Sequence, residues 1–285
     1  MVKKSVIVTG ANGYLGRHVV KALLNMGHQV YAMDIKTEDV DDRAVKIQGN
    51  IFANGVELYN QVNEPDVCIH LARRDGFVHS SPNHMGDLSK HFMFIKGMLD
   101  AGLKQIVVMG SMHEIGYWEG EIDEKTPTNP LSQYGVAKDA LRRSLELLVS
   151  NYDNVILQWT RGFYITGDDN MNQSVFSKIM QAAQDGKKTF PFTSGKNKYE
   201  FIDIELLAKQ IAGVSSQKEI TGIINCCSGI AVSLGEKAEE FIASKKLDIC
   251  LEYGAYPDRK YDSPEVWGNS EKIHKIMSLI ENYQI

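Results

Sequence analysis

The sequence lacks an excess of basic residues. Its 285 residues include 31 Lys and Arg against 36 Asp and Glu, which gives a formal net charge of −5. Proteins that bind nucleic acid as their main partner normally carry a basic surface, so we expect no nucleic acid partner. Apolar residues make up 43% of the chain and charged residues 24%, the balance of an ordinary globular protein.

Cysteine is scarce, and long apolar runs are missing. The four cysteines form no C-x-x-C pair, so they are interpreted as reduced thiols, not as a disulfide framework or a zinc site. No apolar run approaches the length of a membrane span or of a signal-peptide core. We therefore expect a cytoplasmic protein with no metal site and no membrane partner.

Short β-branched runs alternate with helical patterns through the first half of the chain. Strands are predicted at Ser5–Val8 and Gln29–Asp34, and a helix from about Tyr14 to Met26 lies between them. The same alternation continues to a strand at Asn154–Trp159. It predicts an α/β fold with a doubly wound parallel sheet, the Rossmann arrangement.

The second half of the chain is more mixed. We assign residues 1–165 to a dinucleotide-binding domain, with later segments around 199–232 returning to it. Residues 166–285 are assigned to a smaller, interleaved, mixed α/β region that binds substrate. The stretch Tyr253–Ser270 is rich in Tyr, Pro, Asp and Gly and is predicted to be loop.

A glycine-rich loop follows the first predicted strand and opens the first helix. In this context the glycines let backbone approach a pyrophosphate, and the helix N-terminus supplies N–H groups. The alternative is a glycine-rich turn without a ligand. The residues that we assign to the cofactor in this loop are Gly10, Asn12, Gly13, Tyr14, Leu15 and Gly16.

An acidic residue, Asp34, ends the next predicted strand. A carboxylate there accepts hydrogen bonds from both ribose hydroxyls and repels a 2′-phosphate, which favours NAD over NADP. Lys36 stands nearby and could partly offset that repulsion, so NADP stays possible.

Tyr134 and Lys138 stand four residues apart in a predicted helix. Side chains at this spacing lie on one face, so the ammonium can lower the pKa of the phenol and let it exchange protons. An exposed i,i+4 pair is the alternative, but the upstream glycine loop and Ser111 at a strand end favour an oxidoreductase site.

The glycine spacing, together with Tyr134 and Lys138, resembles the extended short-chain dehydrogenase/reductase family. That family includes nucleotide-sugar epimerases, dehydratases and 4-keto reductases. The resemblance extends over nearly the whole chain. Further similar segments are 67–72, 159–167 and 199–204, and Asn225 followed by Ser228 and Gly229.

The resemblance implies a catalytic set. Tyr134 would be the acid/base, Lys138 would hold the nicotinamide ribose, and Ser111 would hydrogen-bond the substrate oxygen. A one-residue shift of the comparison would place Met112 at the serine position, where no hydrogen bond could be donated. We prefer Ser111 because it is the hydroxyl residue of that segment.

The resemblance also implies binding residues and a partner. The further cofactor-binding candidates are Asn50, Ile51, Leu71, Ala72 and Arg73. The substrate-binding candidates are His113, Glu114, Arg161 and Tyr164. Arg259 is added because its charge in the tyrosine-containing tail could meet a nucleotide diphosphate, and a solvated surface loop is the equal alternative. Arg73 would meet a phosphate or a substrate hydroxyl, or else is a loop charge; His113 is equally consistent with a loop residue. A homodimer through the helices near Leu88–Ala101 and Tyr134–Val149 is expected.

Three kinds of function stay open. The compact second half favours a reductase of a nucleotide-linked 4-keto-6-deoxy sugar. An epimerase with tightly bound NAD, or a dehydratase, would share the hydride chemistry. A non-catalytic cofactor-binding module is the alternative of another class, although the complete set of Ser111, Tyr134 and Lys138 argues against it.

Overall fold

The computed structural model describes residues 2–167, 174–258 and 262–282. Its strands in chain order are β1 (Ser5–Thr9), β2 (Gln29–Asp34), β3 (Val45–Gln48), β4 (Val67–His70), β5 (Gln105–Ser111), β6 (Gly120–Ile122), β7 (Ile156–Gly162), β8 (Tyr164–Thr166), β9 (Thr189–Pro191), β10 (Lys198–Asp203), β11 (Gly222–Cys226), β12 (Ala231–Ser233), β13 (Cys250–Glu252) and β14 (Glu265–Gly268). Its helices are α1 (Gly16–Asn25), α2 (Gly55–Gln61), α3 (Asn83–Gly86), α4 (Leu88–Asp100), α5 (Gln133–Val149), α6 (Val175–Gln184), α7 (Ile204–Ser216), α8 (Leu234–Ser244) and α9 (Glu271–Asn282).

The main sheet has seven parallel strands in the order β11-β7-β5-β4-β1-β2-β3. Its central strands are continuous buried runs, as β4 shows with every residue buried. Strands covered on both faces require such runs, which is why the sequence pattern marks them clearly. The doubly wound sheet is therefore confirmed.

Two apolar clusters separate the helices into layers on opposite faces of the sheet. One cluster joins the central strands to α1, α7 and α9, and Leu23, Leu207 and Ile276 have no exposed surface in it. The other joins the sheet to α2, α4 and α5 through residues such as Ile95 and Leu145. No helix in the described ranges is long and apolar enough to span a membrane.

The strand order reverses direction at β1, whose neighbours are β2 and β4. At such a switch point the loops leaving the carboxyl ends diverge and open a crevice, where ligands bind in sheets of this type. The loop after β1 carries the glycines, and the loop after β4 begins with Leu71. The fold therefore brings the predicted cofactor residues to one edge.

The second half contributes both to the main sheet and to smaller ones. β11 joins the main sheet beside β7, whereas β10 pairs with β8, β12 and β14, and β14 also pairs with β6. The prediction that Tyr253–Ser270 is loop is thus wrong for Glu265–Gly268, which is strand β14. This strand is short and its partners are distant in sequence, so no local pattern marked it.

Strand β7 extends beyond Trp159, the last residue of the strand predicted there. β5 continues to Ser111 and β7 to Gly162, because the two strands pair along their full length. Ser111 therefore ends a central strand, and a short 3₁₀ turn at Met112–Glu114 follows it. This extension fixes the direction of the Ser111 side chain.

Candidate active site

The glycine loop packs against the backbone that follows β4. Gly10 has a φ of +72°, and a Cβ built on it would lie 2.7 Å from the Cα of Ala72. A Cβ on Gly16 would lie 2.0 Å from the carbonyl oxygen of Gly10. Only glycine fits these two positions, so the loop is a tight backbone cradle at the start of α1. Such a cradle fits a dinucleotide pyrophosphate.

Asp34 lies at the end of β2 beside that cradle. Its Oδ2 accepts a hydrogen bond from the Asn12 amide at 2.9 Å, and its Oδ1 accepts one from the Ile35 amide at 2.7 Å. An ionised carboxylate has about four acceptor positions, so two remain for ribose hydroxyls. Tyr14 donates through its hydroxyl to the Gly167 carbonyl, which ties the loop to the segment after β8.

The other cofactor candidates lie around the same crevice. Leu71 and Ala72 follow β4, and the Leu71 amide donates to the Thr9 carbonyl at 3.1 Å. Asn50 is exposed, and its side-chain oxygen accepts from the Phe52 amide at 3.0 Å, while Ile51 is buried beneath it. Cofactor contact by these residues stays a prediction.

Tyr134 is the second residue of α5, and Ser132 caps this helix by accepting from the Gly135 amide at 3.1 Å. The cap fixes the first turn and therefore the direction of the phenol. The Ser111 hydroxyl acts on the pKa of the Tyr134 phenol, and a Cβ built on Gly135 would lie 2.2 Å from the carbonyl oxygen of His113. The structure thus brings the end of β5 and the start of α5 together, and it places Met112 in the interior.

Lys138 lies one turn further along α5, with its side chain buried and its ammonium donating to the Met109 carbonyl. Its nitrogen is 5.8 Å from the centre of the Tyr134 ring. Burial, reinforced by the charge of Arg73, lowers the pKa of Lys138 to about 7. Tyr134 and Lys138 therefore share one face of the helix, as their spacing predicts.

The direction of the Tyr134 pKa differs from the prediction. Burial raises the pKa of the phenol, although the charge of Arg73 and the Ser111 hydroxyl lower it in part. The spacing of Tyr134 and Lys138 predicts that the lysine lowers this pKa. It carries no information about the burial of the phenol. Desolvation of a phenolate outweighs the nearby charges here.

Three imidazoles surround the Tyr134 ring, and two of them have no signal in the sequence. His79 stacks on the phenol, with ring centres 4.9 Å apart, and His84 meets it edge-on at 5.2 Å. His113, a predicted substrate residue, lies 4.4 Å from His79. Burial and the neighbouring His79 lower the pKa of His113 to about 4. The chain between β4 and α4 places His79 and His84 beside the Tyr134 ring. The spacing of residues within one segment does not predict this contact.

Glu114 and Arg161 lie deeper than their predicted role requires. Both side chains have no exposed surface, and Glu114 accepts from the Ser111 amide at 2.6 Å and from the Trp159 indole at 3.0 Å. Arg161 lies 3.8 Å from Glu114 and donates to the Asp123 carbonyl. This geometry favours an interior supporting role for the pair, and direct substrate contact stays a prediction.

Tyr164 lies at the start of β8, edge-on to His113 with ring centres 6.1 Å apart, so it borders the same imidazole cluster. Arg259, the remaining substrate candidate, lies outside the described residues. Within the described ranges, no group of three or more His, Cys, Asp or Glu side chains is arranged to hold a metal ion.

A doubly wound sheet with a glycine cradle at its switch point and a tyrosine one helical turn before a buried lysine defines an oxidoreductase of the short-chain dehydrogenase/reductase type. The model of the NAD dependent epimerase/dehydratase family matches residues 6–227. The chain belongs to that family. Membership confirms the expected extended short-chain dehydrogenase/reductase type, the enzyme class and the NAD dependence.

Similar proteins span most of the chain. It is 43% identical to a dTDP-6-deoxy-L-talose 4-dehydrogenase (NAD(+)) of Aggregatibacter actinomycetemcomitans, over 93% of this chain and 99% of that protein. The structure of MoeE5 in complex with UDP-glucuronic acid and NAD superposes with a TM-score of 0.80 at 23% identity, covering 96% of this chain and 92% of the other. A UDP-glucose 4-epimerase structure from Thermotoga maritima gives a TM-score of 0.78 at 17% identity, covering 98% of both chains. The two structural likenesses show the fold.

Proposed function

We propose that the protein catalyses reversible, NAD-dependent hydride transfer at C4 of a nucleotide-linked 6-deoxy sugar. The observation that carries the chemistry is the pairing of the Tyr134 phenol with the buried Lys138 one turn along α5, whose nitrogen is 5.8 Å from the ring centre. Support for the substrate comes from the 43% identical relative, whose name states this reaction for that protein. The reduction of a 4-keto-6-deoxy sugar and the oxidation of the corresponding alcohol are the two directions of one step.

The chain's own residues handle the proton and the orientation. In reduction, the Tyr134 phenol would donate its proton to the carbonyl oxygen as the hydride reaches C4; in oxidation, the proton passes back from O4. Ser111 would hydrogen-bond the same oxygen and hold it beside the phenol. Lys138 would contact the nicotinamide ribose, and Asp34 the adenosine ribose. Bound NAD supplies the acceptor or donor of the hydride.

The substrate side is formed by the residues around the phenol. His79, His113, Tyr164 and Arg73 offer polar contacts to a sugar beside Tyr134. We further propose that residues 1–165, with later segments around 199–232, bind the cofactor and that residues 166–285 complete the sugar-nucleotide site. The pairing of β11 with the main sheet supports this interleaved division.

An epimerase is the second candidate, because structures of that name share the fold. A dehydratase would need an additional acid/base pair next to the substrate. Glu114, the acidic residue three positions after Ser111, already accepts hydrogen bonds from the Ser111 amide and the Trp159 indole. This occupation favours simple hydride transfer over elimination.

The experiment follows cofactor absorbance at 340 nm with purified protein. dTDP-6-deoxy-L-talose with NAD, and a dTDP-4-keto-6-deoxy sugar with NADH, are each tested, with NADP and NADPH in parallel. Stoichiometric change of cofactor supports the proposal and identifies the cofactor. Isomer formation from UDP- or dTDP-sugars with no net cofactor change would replace it with the epimerase. NAD binding without turnover on any sugar nucleotide would support a non-catalytic module.

We also propose a cytoplasmic homodimer. Met93 on α4 and Leu147 on α5 are 59% and 73% exposed, as expected if these helices meet a second copy. The cysteines are free thiols, which suits a reducing compartment. Light scattering should give twice the chain mass, and Leu147→Glu should reduce it to the mass of one chain. A single-chain mass for the unmodified protein would exclude the dimer.

A further inference from the structure

Arg73 lies closer to the Tyr134 ring than Lys138 does. The guanidinium carbon of Arg73 is 5.1 Å from the ring centre, compared with 5.8 Å for the ammonium nitrogen of Lys138. Lys138 is also directed to a backbone acceptor, the Met109 carbonyl. The sequence pattern draws attention to the lysine, but the structure offers a second and nearer cation.

His84 fixes the position of this guanidinium. The Nε of Arg73 donates to Nδ1 of His84 at 3.2 Å, and Nε2 of His84 lies 3.0 Å from the Val78 carbonyl. A guanidinium and a carbonyl leave no choice of roles, since the first only donates and the second only accepts. Nδ1 must therefore be the acceptor and Nε2 must carry the proton. His84 is neutral in this arrangement.

The surroundings of His84 keep it neutral. Burial lowers its pKa, and the charges of Arg73 and Lys138 act in the same direction, against the Val78 carbonyl and Asp75. The other titratable groups facing it are His79, whose own pKa is lowered by burial and by His84, and the Tyr134 phenol, edge-on at 5.2 Å. Protonation of His84 would place an N–H against the Arg73 N–H and end the contact.

A buried guanidinium nitrogen remains available. Nη2 of Arg73 is buried and has no hydrogen-bond partner among the described residues. A buried donor without a partner costs free energy unless an oxygen reaches it, so the site is built to receive one. An arginine also keeps its charge across the whole working pH range, whereas the pKa of Lys138 falls to about 7.

We propose that Arg73 is the cation that favours the ionised form of the Tyr134 phenol, and that neutral His84 is a positioning residue that holds it there. This inference rests on the proposed function, because it concerns the group assigned as the acid/base. The charge relationship itself can be measured without any turnover.

The test is a fluorine NMR titration of the full chain labelled with 3-fluorotyrosine, whose phenol ionises at lower pH than that of tyrosine. The Tyr134 signal is assigned by its loss in Tyr134→Phe. Arg73→Gln should raise the pKa of this phenol by roughly one to three units, the range for loss of an adjacent opposite charge. Arg74→Gln is the matched control, since that neighbouring side chain is 57% exposed and paired with Asp87.

The positioning role is tested with two variants of His84. His84→Asn keeps an acceptor near Nδ1 and should leave the Tyr134 titration close to that of the unmodified protein. His84→Leu removes the acceptor and should reproduce at least half of the effect of Arg73→Gln. Arg73→Lys keeps the charge, so the pKa of Tyr134 should rise less in it than in Arg73→Gln. It replaces Arg73→Gln in the test if that variant does not fold.

An unchanged Tyr134 titration in folded Arg73→Gln overturns the inference. So does an Arg73→Lys protein in which the pKa of Tyr134 rises as far as it does in Arg73→Gln. Equal titrations for His84→Asn and His84→Leu overturn the positioning role. The catalytic assignment of Tyr134 fails separately, when Tyr134→Phe retains full turnover, and the proposed function fails when the unmodified protein turns over no nucleotide sugar. A raised phenol pKa in Arg73→Gln together with an active Tyr134→Phe would keep the charge relationship and reject the catalytic assignment.

Discussion

The imidazole of His79 lies parallel to the phenol of Tyr134, with an angle of 10° between the rings and 4.9 Å between their centres. The backbone carbonyl of His79 also accepts a hydrogen bond from the Tyr134 amide at 3.0 Å. The loop after β4 is thus fixed to the first turn of α5 by its backbone and by its side chain. Because of this contact, residues 55 positions apart form one wall of the site.

Replacing Tyr134 with phenylalanine should lower kcat by about a hundredfold to ten-thousandfold, the usual range for losing a general acid or base. The ring contacts with His79 and His84 would remain, so the melting temperature and NAD affinity should change little. Tyr152→Phe is the control, because this tyrosine follows the end of α5 and its exposed hydroxyl donates to Asp100 and not to the site. A Tyr134→Phe enzyme with normal kcat would remove this residue from the mechanism.

Replacing Asp34 with asparagine should shift cofactor preference towards NADPH. The change removes the negative charge that repels a 2′-phosphate and weakens charge-assisted bonds to ribose hydroxyls, each worth about 1.5–3 kcal/mol. We expect the dissociation constant for NADH to rise about tenfold and that for NADPH to fall, both measured by cofactor fluorescence. Asp42→Asn, whose side chain is 97% exposed, should leave both constants unchanged.

Replacing Glu114 with glutamine should destabilise the fold by about 3–5 kcal/mol, as expected when one partner of a buried ion pair is lost. Arg161, which has no exposed surface, would lose the carboxylate 3.8 Å away. Urea denaturation measures this loss, with exposed Glu119→Gln as the control. Normal stability combined with a large rise in the substrate KM would instead indicate that Glu114 binds substrate.

Acid should destabilise the protein through its buried histidines. Burial, with the charges of Arg73 and Lys138, lowers the pKa of His91 from 6.5 to about 3. Between these values the unfolded chain binds a proton that the folded chain does not, so stability is complete above pH 6.5 and falls with acidification. At about 1.4 kcal/mol per pH unit, His91 alone accounts for about 2 kcal/mol lost between pH 7 and pH 5.

His91→Gln should therefore reduce the loss of unfolding free energy between pH 7 and pH 5 by that amount. The glutamine can still hydrogen-bond His70, which lies 2.9 Å from His91 in the native protein. His274→Gln, at an exposed position of α9, should leave the pH dependence unchanged. Equal pH dependence in the His91 variant and the unmodified protein would contradict this account.

Much of the fold could be predicted because its signals are local. The strand Gln29–Asp34 has the predicted boundaries, and the strand predicted at Ser5–Val8 extends by one residue, to Thr9. Short elements such as β14 were not predictable, since their stability comes from partners far away in the chain.

The sequence by itself determined the doubly wound sheet, the glycine cradle, the acid at the end of β2 and the shared face of Tyr134 and Lys138. Each of these depends on residue type and on spacing within one segment. Only the tertiary structure decided the depth of burial and the neighbours from other segments. It placed Arg73, His79 and His84 around the phenol and Glu114 in the interior. Because desolvation and charge act through space, the pKa of Tyr134 follows from these neighbours and not from the lysine spacing.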